Sequence, residues 1–193
     1  QDVEVGQDTV ILPGTMLQGK TKVGKNCTLG PDTQLTDVIC GDGNHLNRVY
    51  AHSCELGDNN EIGPFVHLRP ETCLHNDIKI GNFVEVKNSD VDDGTKLPHL
   101  IYCGDSDLGK NVNFGCGTVT VNFDGKNKHR CTIDEHAFIG CNTNLVAPVH
   151  IGARAFPAAG STITKDVPAK ALAVGRAKQL NIENWVKEDT YKD

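Results

Sequence analysis

Apolar side chains recur every six residues along most of this chain. Val5, Ile11, Leu17, Val23, Leu29 and Leu35 open the series, which resumes after a blurred patch at Leu56, Ile62, Leu68, Leu74, Ile80 and Val86. It slips by one residue to Val91, Leu97 and Cys103, then again to Leu108 and Phe114. A last unbroken run passes through Ile133, Ile139, Leu145, Ile151, Pro157 and Ile163. A helix repeats near 3.6 residues and a strand at two, so neither is the main unit. The residue after the apolar one is very often Gly, as at 6, 24, 30, 57, 63, 81, 104, 109, 115, 140 and 152. That pairing predicts a short strand, then a sharp corner where glycine's conformational freedom is useful. Three such units close a triangular coil of about 18 residues, and stacked coils rise by roughly 4.8 Å each. The pattern predicts an all-β hexapeptide-repeat solenoid, a parallel β-helix of about nine coils and on the order of 40 Å tall.

Two stretches depart from the rhythm. Residues 122–131 hold no inward aliphatic residue and contain the turn signal Asp124-Gly125, so they read as a loop ejected from the solenoid. Beyond Ile163 the repeat fades. Residues 178–190 read as a short helix with Leu180 and Trp185 on its apolar side, a cap for the last coil's open edge. The chain then divides into a β-helix domain over 1–177 and a C-terminal tail over 178–193. It begins at Gln1, already inside the repeat and without an initiator Met, which suggests a fragment or processed product.

Composition narrows the class of protein. Only 5% of the residues are aromatic, which argues against a conventional core of large rings, and 20 glycines suit a fold with frequent tight corners. The net charge of −6 argues against nucleic acid, since the one basic cluster is Lys126, Lys128 and Arg130. No apolar run is long enough to cross a bilayer, and no signal peptide is apparent. Eight cysteines include no CxxC pair, so a zinc knuckle is not indicated and no metal ligand is assigned. They read as reduced thiols acting as small hydrophobes.

Candidate chemistry collects where the rhythm stumbles, in residues 99–128. Arg69 and Lys87 both follow an inward aliphatic residue and lie three repeat units apart, which is one coil. They are expected on one edge about 5 Å apart, where two cations repel unless an anion lies between them. A phosphate is the expected anion. His99, after Pro98, is one coil further on and suits a general base, a role worth about 10²–10⁴ in rate. Tyr102, Asn113 and Asn122 offer uncharged polar groups suited to sugar hydroxyls, although asparagine is also ordinary turn chemistry. Lys128 sits on the ejected loop.

The stretches IGPFVHLRP (62–70), IGNFVEVK (80–87), HLIYCGD (99–105), NVNFGCGT (111–118), VNFDGKNKH (121–129), LVAPVHIG (145–152) and STITKDVP (161–168) cover nearly the whole chain. They resemble the C-terminal acetyltransferase domain of the bacterial bifunctional N-acetylglucosamine-1-phosphate uridylyltransferase/glucosamine-1-phosphate acetyltransferase. The resemblance implies a left-handed coil and transfer of acetyl from acetyl-CoA to the amine of glucosamine 1-phosphate. That reaction serves UDP-N-acetylglucosamine and cell-wall precursor synthesis in the cytoplasm. By position it implies His99 as base, with Arg69 and Lys87 on the sugar phosphate and Lys128 joining them from another subunit. Tyr102, Asn113 and Asn122 would position the sugar. Acetyl-CoA would lie against Cys116, Phe123, Cys141, Ala159 and Arg176, between the subunits of a homotrimer. The family's uridylyltransferase half, which uses Mg2+, has no counterpart in these residues. Cys116 stands where the family usually has Ala, Cys141 where it has Ser, Phe123 where it has Tyr, and Pro157 at a usually aliphatic corner. Thiols at two groove positions predict sensitivity to thiol reagents.

Two other readings share the fold. A hexapeptide acyltransferase acting on a different acceptor would not need Arg69 stacked over Lys87. A metal enzyme of the γ-carbonic anhydrase type would pair two histidines five residues apart, a spacing found nowhere here. A catalytically silent prism is the third alternative.

Overall fold

The computed structural model describes residues 2–186. Within them every recorded strand pairing is parallel, apart from one isolated antiparallel bridge between Phe123 and Lys128. Strands of two to four residues alternate among three faces. The first face stacks nine strands, from Glu4–Val5 to Val149–Ile151, and Val167 bridges Ile151 to begin another turn. The second and third faces join as one sheet because the nine-residue strands Lys79–Lys87 and Lys96–Gly104 run around their shared corner.

Coil length explains the slips in the sequence rhythm. Glu4 pairs with Lys22, a full three repeat units on. Lys22 then pairs with Ile39 and Ile39 with Glu55, each of these coils shorter than the one before it. In the blurred patch the inward positions are Cys40, Leu46 and Ala51, all buried. Shortened corners and small side chains hid the repeat there. Thr120 fills the inward position after Phe114 and is fully buried, so the rhythm continues through a hydroxyl where an aliphatic residue was expected.

The prism holds one continuous core of aliphatic side chains, with Phe114 its one large ring among the described residues. Beside them runs a column of buried Thr, Ser and Asn. Thr21 Oγ1 donates to Gln18 O at 2.7 Å and accepts from the Val38 N–H at 3.3 Å, which ties neighbouring coils together. No buried side-chain polar atom lacks a partner among the described residues. Cys27, Cys40, Cys54, Cys103 and Cys131 are buried and unbridged, as small hydrophobes should be, whereas Cys73, Cys116 and Cys141 reach the surface.

Two expectations need correction. Most glycines after the inward residue are not there for left-handed backbone. A Cβ on Gly81 would fall 1.8 Å from Pro98 O, and one on Gly6 2.5 Å from the backbone of Gly24. Close stacking of successive coils is what demands glycine, while the positive φ angles fall later in the corner, chiefly on Asn, Asp and other glycines. The tail also differs. Residues 178–186 form no helix, and Leu180 and Trp185 are exposed; residues 187–190 of the expected helix lie outside the described residues. With both apolar side chains facing water, the described tail covers no edge. Among the described residues no helix is long and apolar enough to cross a membrane.

Candidate active site

The third face has two functional edges. At the edge leading to the first face, Leu68 pairs with Val86, so Arg69 and Lys87 stack one above the other. Lys87 in turn pairs with Gly104. A Cβ on Gly104 would meet Tyr102 Oη at 2.5 Å and Asn122 Nδ2 at 2.8 Å, so a bare corner leaves room for both. Asn122 Nδ2 also donates to Tyr102 Oη at 3.4 Å.

Asp105, 3% exposed, is the hub of this edge. It accepts hydrogen bonds from Asn88 Nδ2 and Asn122 Nδ2 and stands 3.6 Å from Lys87 Nζ. Burial acts against its negative charge, but the two amide donors, then Lys87 and Lys128, outweigh it and hold the carboxyl below its usual range. Within the single chain, Lys128 on the ejected loop also lies near Lys87 and Asp105. The neighbouring Lys87 ammonium pushes the Lys128 pKa down. The crowded cations are therefore Lys87 and Lys128. Arg69 instead lies against Glu85, with Nη1 2.8 Å from Oε1. An anion held by Lys87 and Lys128 relieves their repulsion through charge-assisted hydrogen bonds.

The opposite edge carries His99. Its Nδ1 lies 3.1 Å from Asn82 Oδ1, and Asn82 is its register partner on the coil below. An amide oxygen only accepts, so Nδ1 is the donor in this contact, and Nε2 has no hydrogen-bond partner among the described residues. The ring is exposed. Above it the coils continue in one column. Gly117 N–H donates to His99 O at 3.3 Å, Asn142 N–H to Cys116 O at 2.7 Å, and Gly160 N–H to Cys141 O at 2.8 Å. Thus His99, Cys116, Cys141 and Ala159 stack in that order, and Arg176 Nη1 donates to Ala159 O at the top. Cys116 is half-buried and Cys141 exposed. Between the two edges a groove of about 940 Å³ runs along the face, lined among others by Tyr50, Phe65, Phe83, Glu85 and Tyr102.

Two expected residues stand apart. Asn113 pairs with Lys96 and Phe138 on the second face, around the corner from Tyr102. Phe123 is on the ejected loop, exposed and bridged to Lys128, away from the column of Cys116, Cys141 and Ala159. The loop itself is folded by Asp124, whose Oδ1 accepts the N–H groups of Lys126 and Asn127 at 2.8 and 2.6 Å.

Asn82, Glu85 and Asn88 were missed, and Asp105, though within the crowded stretch, was given no role. A signal for them existed in one constant interval. Asn82 and His99, Asn88 and Asp105, and Asp105 and Asn122 are each separated by 17 positions. Glu85 and Tyr102 keep the same interval. In this part of the solenoid that interval is one coil, as the pairing of Asn82 with His99 and Glu85 with Tyr102 shows.

No protein-family model matches the chain. Curated relatives do. The bifunctional protein GlmU of Caldanaerobacter subterraneus subsp. tengcongensis is 56% identical over 187 residues, covering 97% of this chain and 41% of that protein. The bifunctional protein GlmU of Geobacillus sp. (strain WCH70) is 52% identical over 185 residues, covering 96% and 40%. The chain spans about two fifths of the length of these relatives. The likeness read from the sequence motifs, to one domain of a bifunctional protein, is borne out. Among solved structures, a UDP-N-acetylglucosamine acyltransferase from Arabidopsis superimposes with a TM-score of 0.60 at 15% identity, covering 90% of this chain and 68% of that one. At that identity the likeness concerns the fold alone, the left-handed parallel β-helix.

Proposed function

We propose that the chain, a relative of one part of the bifunctional protein GlmU, transfers the acetyl group of acetyl-CoA to the amine of glucosamine 1-phosphate. What carries this reading is a single face with an exposed imidazole held by Asn82 on one edge and a close pair of ammonium groups on the other. A base alone suits many acceptors. A base facing a close pair of ammonium groups suits an amine that carries a phosphate.

The sugar phosphate sits at the Lys87 and Lys128 edge, with Arg69 exchanging Glu85 for a phosphate oxygen and Tyr102 and Asn122 against the hydroxyls. Acetyl-CoA lies along the column from Arg176 down through Ala159, Cys141 and Cys116, which delivers the thioester to His99. The amine attacks the thioester carbonyl, Nε2 of His99 takes the amine proton, and the tetrahedral adduct expels the CoA thiolate. The Asn82 contact fixes the tautomer this step needs.

The edges are five residues apart, at most about 16 Å along an extended strand. A homotrimer with its sites between copies brings Asn113, which lies on a different face, and Phe123 into range of a neighbour's groove. Uridylyl transfer and its Mg2+ belong to the part of GlmU that this chain does not span. The test is incubation with acetyl-CoA and glucosamine 1-phosphate, with CoA and N-acetylglucosamine 1-phosphate quantified by chromatography. Equimolar formation of both supports the reading, and acetyl-CoA left unconsumed overturns it.

A further inference from the structure

The first face carries none of the candidate site residues, yet it gathers donor atoms of another kind. Cys73 pairs with Asp90 on the next coil, and Leu74 with Val91, so His75 and Asp92 follow as the next outward neighbours. Alternate residues of a strand point the same way, and coils are spaced by about 4.8 Å. The result is a patch two residues wide and two coils high, offering a sulfur, an imidazole nitrogen and two carboxylates. One donor atom from each of Cys73, His75 and Asp90 lies within 4.8 Å of the others, and His75 forms a second such trio with Asp92 and Asp93.

We infer that Cys73, His75 and Asp90, backed by Asp92, bind one divalent transition-metal ion of the zinc type. Three observations select this trio and this metal. First, the donor set is mixed. Thiolate and imidazole favour zinc and its neighbours, whereas calcium and magnesium take oxygen cages. Second, charge nearby is already partitioned. Asp93 is occupied, since its Oδ1 accepts from Asn76 N–H at 3.0 Å and its Oδ2 meets Lys110 Nζ at 2.9 Å. Asp107, one coil above Asp90, is taken up by the Arg130 guanidinium. Among the described residues, Asp90 and Asp92 have no Lys or Arg within ion-pair distance, and Asp90 meets only His75, Nε2 to Oδ1 at 3.1 Å.

Third, the distances close. Zinc bonds of about 2.0–2.3 Å in a tetrahedron put ligand atoms about 3.3–3.8 Å apart. The His75–Asp90 contact is already shorter than that, and the remaining separations must shrink by about 1.5 Å at most. Cys73 and His75 are half-buried and Asp90 is exposed, so an ion reaches the patch from solvent and its fourth position falls to water or Asp92. Such an ion clips two successive coils together. Stability should then rise with metal concentration, because only the folded chain presents the cluster.

The experiment titrates the purified, metal-stripped chain with Zn2+ by calorimetry and with Co2+ by absorbance. The expected result is one equivalent per chain and a thiolate-to-cobalt charge-transfer band. Cys73→Ser should remove the band and His75→Ala the stoichiometric binding, each with the far-ultraviolet circular dichroism of the unsubstituted chain. The inference is overturned by absence of stoichiometric binding or by a band that survives Cys73→Ser. Equal affinity for Ca2+ that ignores both substitutions would also overturn it, since that is the behaviour of a plain carboxylate cluster. Should either variant misfold, cadmium-113 resonance of the unsubstituted chain decides. A shift in the range of mixed sulfur and nitrogen ligation supports the site, and one in the all-oxygen range refutes it.

Discussion

The two edges of the third face are built to opposite specifications. The edge with Lys87 is a closed network, in which a nearly buried carboxylate, two asparagines and two lysines fix one another. The edge with His99 is sparse, an exposed ring held by one hydrogen bond. The difference follows from the work proposed for each. Gripping a phosphate requires charges held in place before the ligand arrives, and rigid partners provide that. Taking a proton requires a nitrogen that stays accessible, and the sparse edge leaves Nε2 of the exposed ring without a partner among the described residues.

Substitutions should therefore act differently at the two edges. The largest effect is expected from His99→Ala, a loss of about 10²–10⁴ in kcat with little change in melting temperature, because the ring is exposed and makes one contact. Turnover near the parent rate would remove the assigned base. Next comes Lys87→Ala, which should weaken kcat/KM for the phosphorylated acceptor by about 10–150-fold, the worth of a charge-assisted hydrogen bond of 1.5–3 kcal/mol. A variant that kept its KM for that acceptor would place the phosphate elsewhere.

Asp105→Asn should act on stability first, costing about 1–3 kcal/mol by leaving Lys87 and the two asparagine amides poorly matched. Its pH dependence has a definite sign. The folded carboxyl lies below its usual pKa near 3.9, so its contribution is complete above that value and disappears as pH falls through the folded pKa. The gap in urea midpoint between parent and variant should thus be constant near neutrality and narrow below about pH 4. A gap that widens in acid would contradict the assigned network. The smallest effect is expected from Asn82→Ala, about a fivefold fall in kcat from loss of an ordinary hydrogen bond of about 1 kcal/mol. It should come with a changed pH profile, since the tautomer is no longer fixed; an unchanged profile would make Asn82 structural.

The solenoid was legible because its inward aliphatic residues report the period directly, from Val23 to Ile163. It became illegible where Cys40, Ala51 and Thr120 took inward positions, because neither a small side chain nor a hydroxyl signals burial. The stacking of Arg69 on Lys87 was readable, since both follow an inward residue one coil apart. Their partners were not. Glu85, Asn88 and Asp105 look like ordinary surface polar residues until the shortened coil aligns them with Tyr102, Asp105 and Asn122. The same limit hid the patch of Cys73, His75 and Asp90. Metal signatures are sought as short spacings along the chain, and here one ligand comes from the next coil.

The most direct test of the account compares kcat/KM for glucosamine 1-phosphate with that for glucosamine, in the parent chain, Lys87→Ala and His99→Ala. The two-edge arrangement predicts that the parent strongly prefers the phosphorylated acceptor, that Lys87→Ala loses most of that preference, and that His99→Ala slows both acceptors by the same factor. Equal use of both acceptors by the parent chain, or a preference untouched by Lys87→Ala, would contradict it.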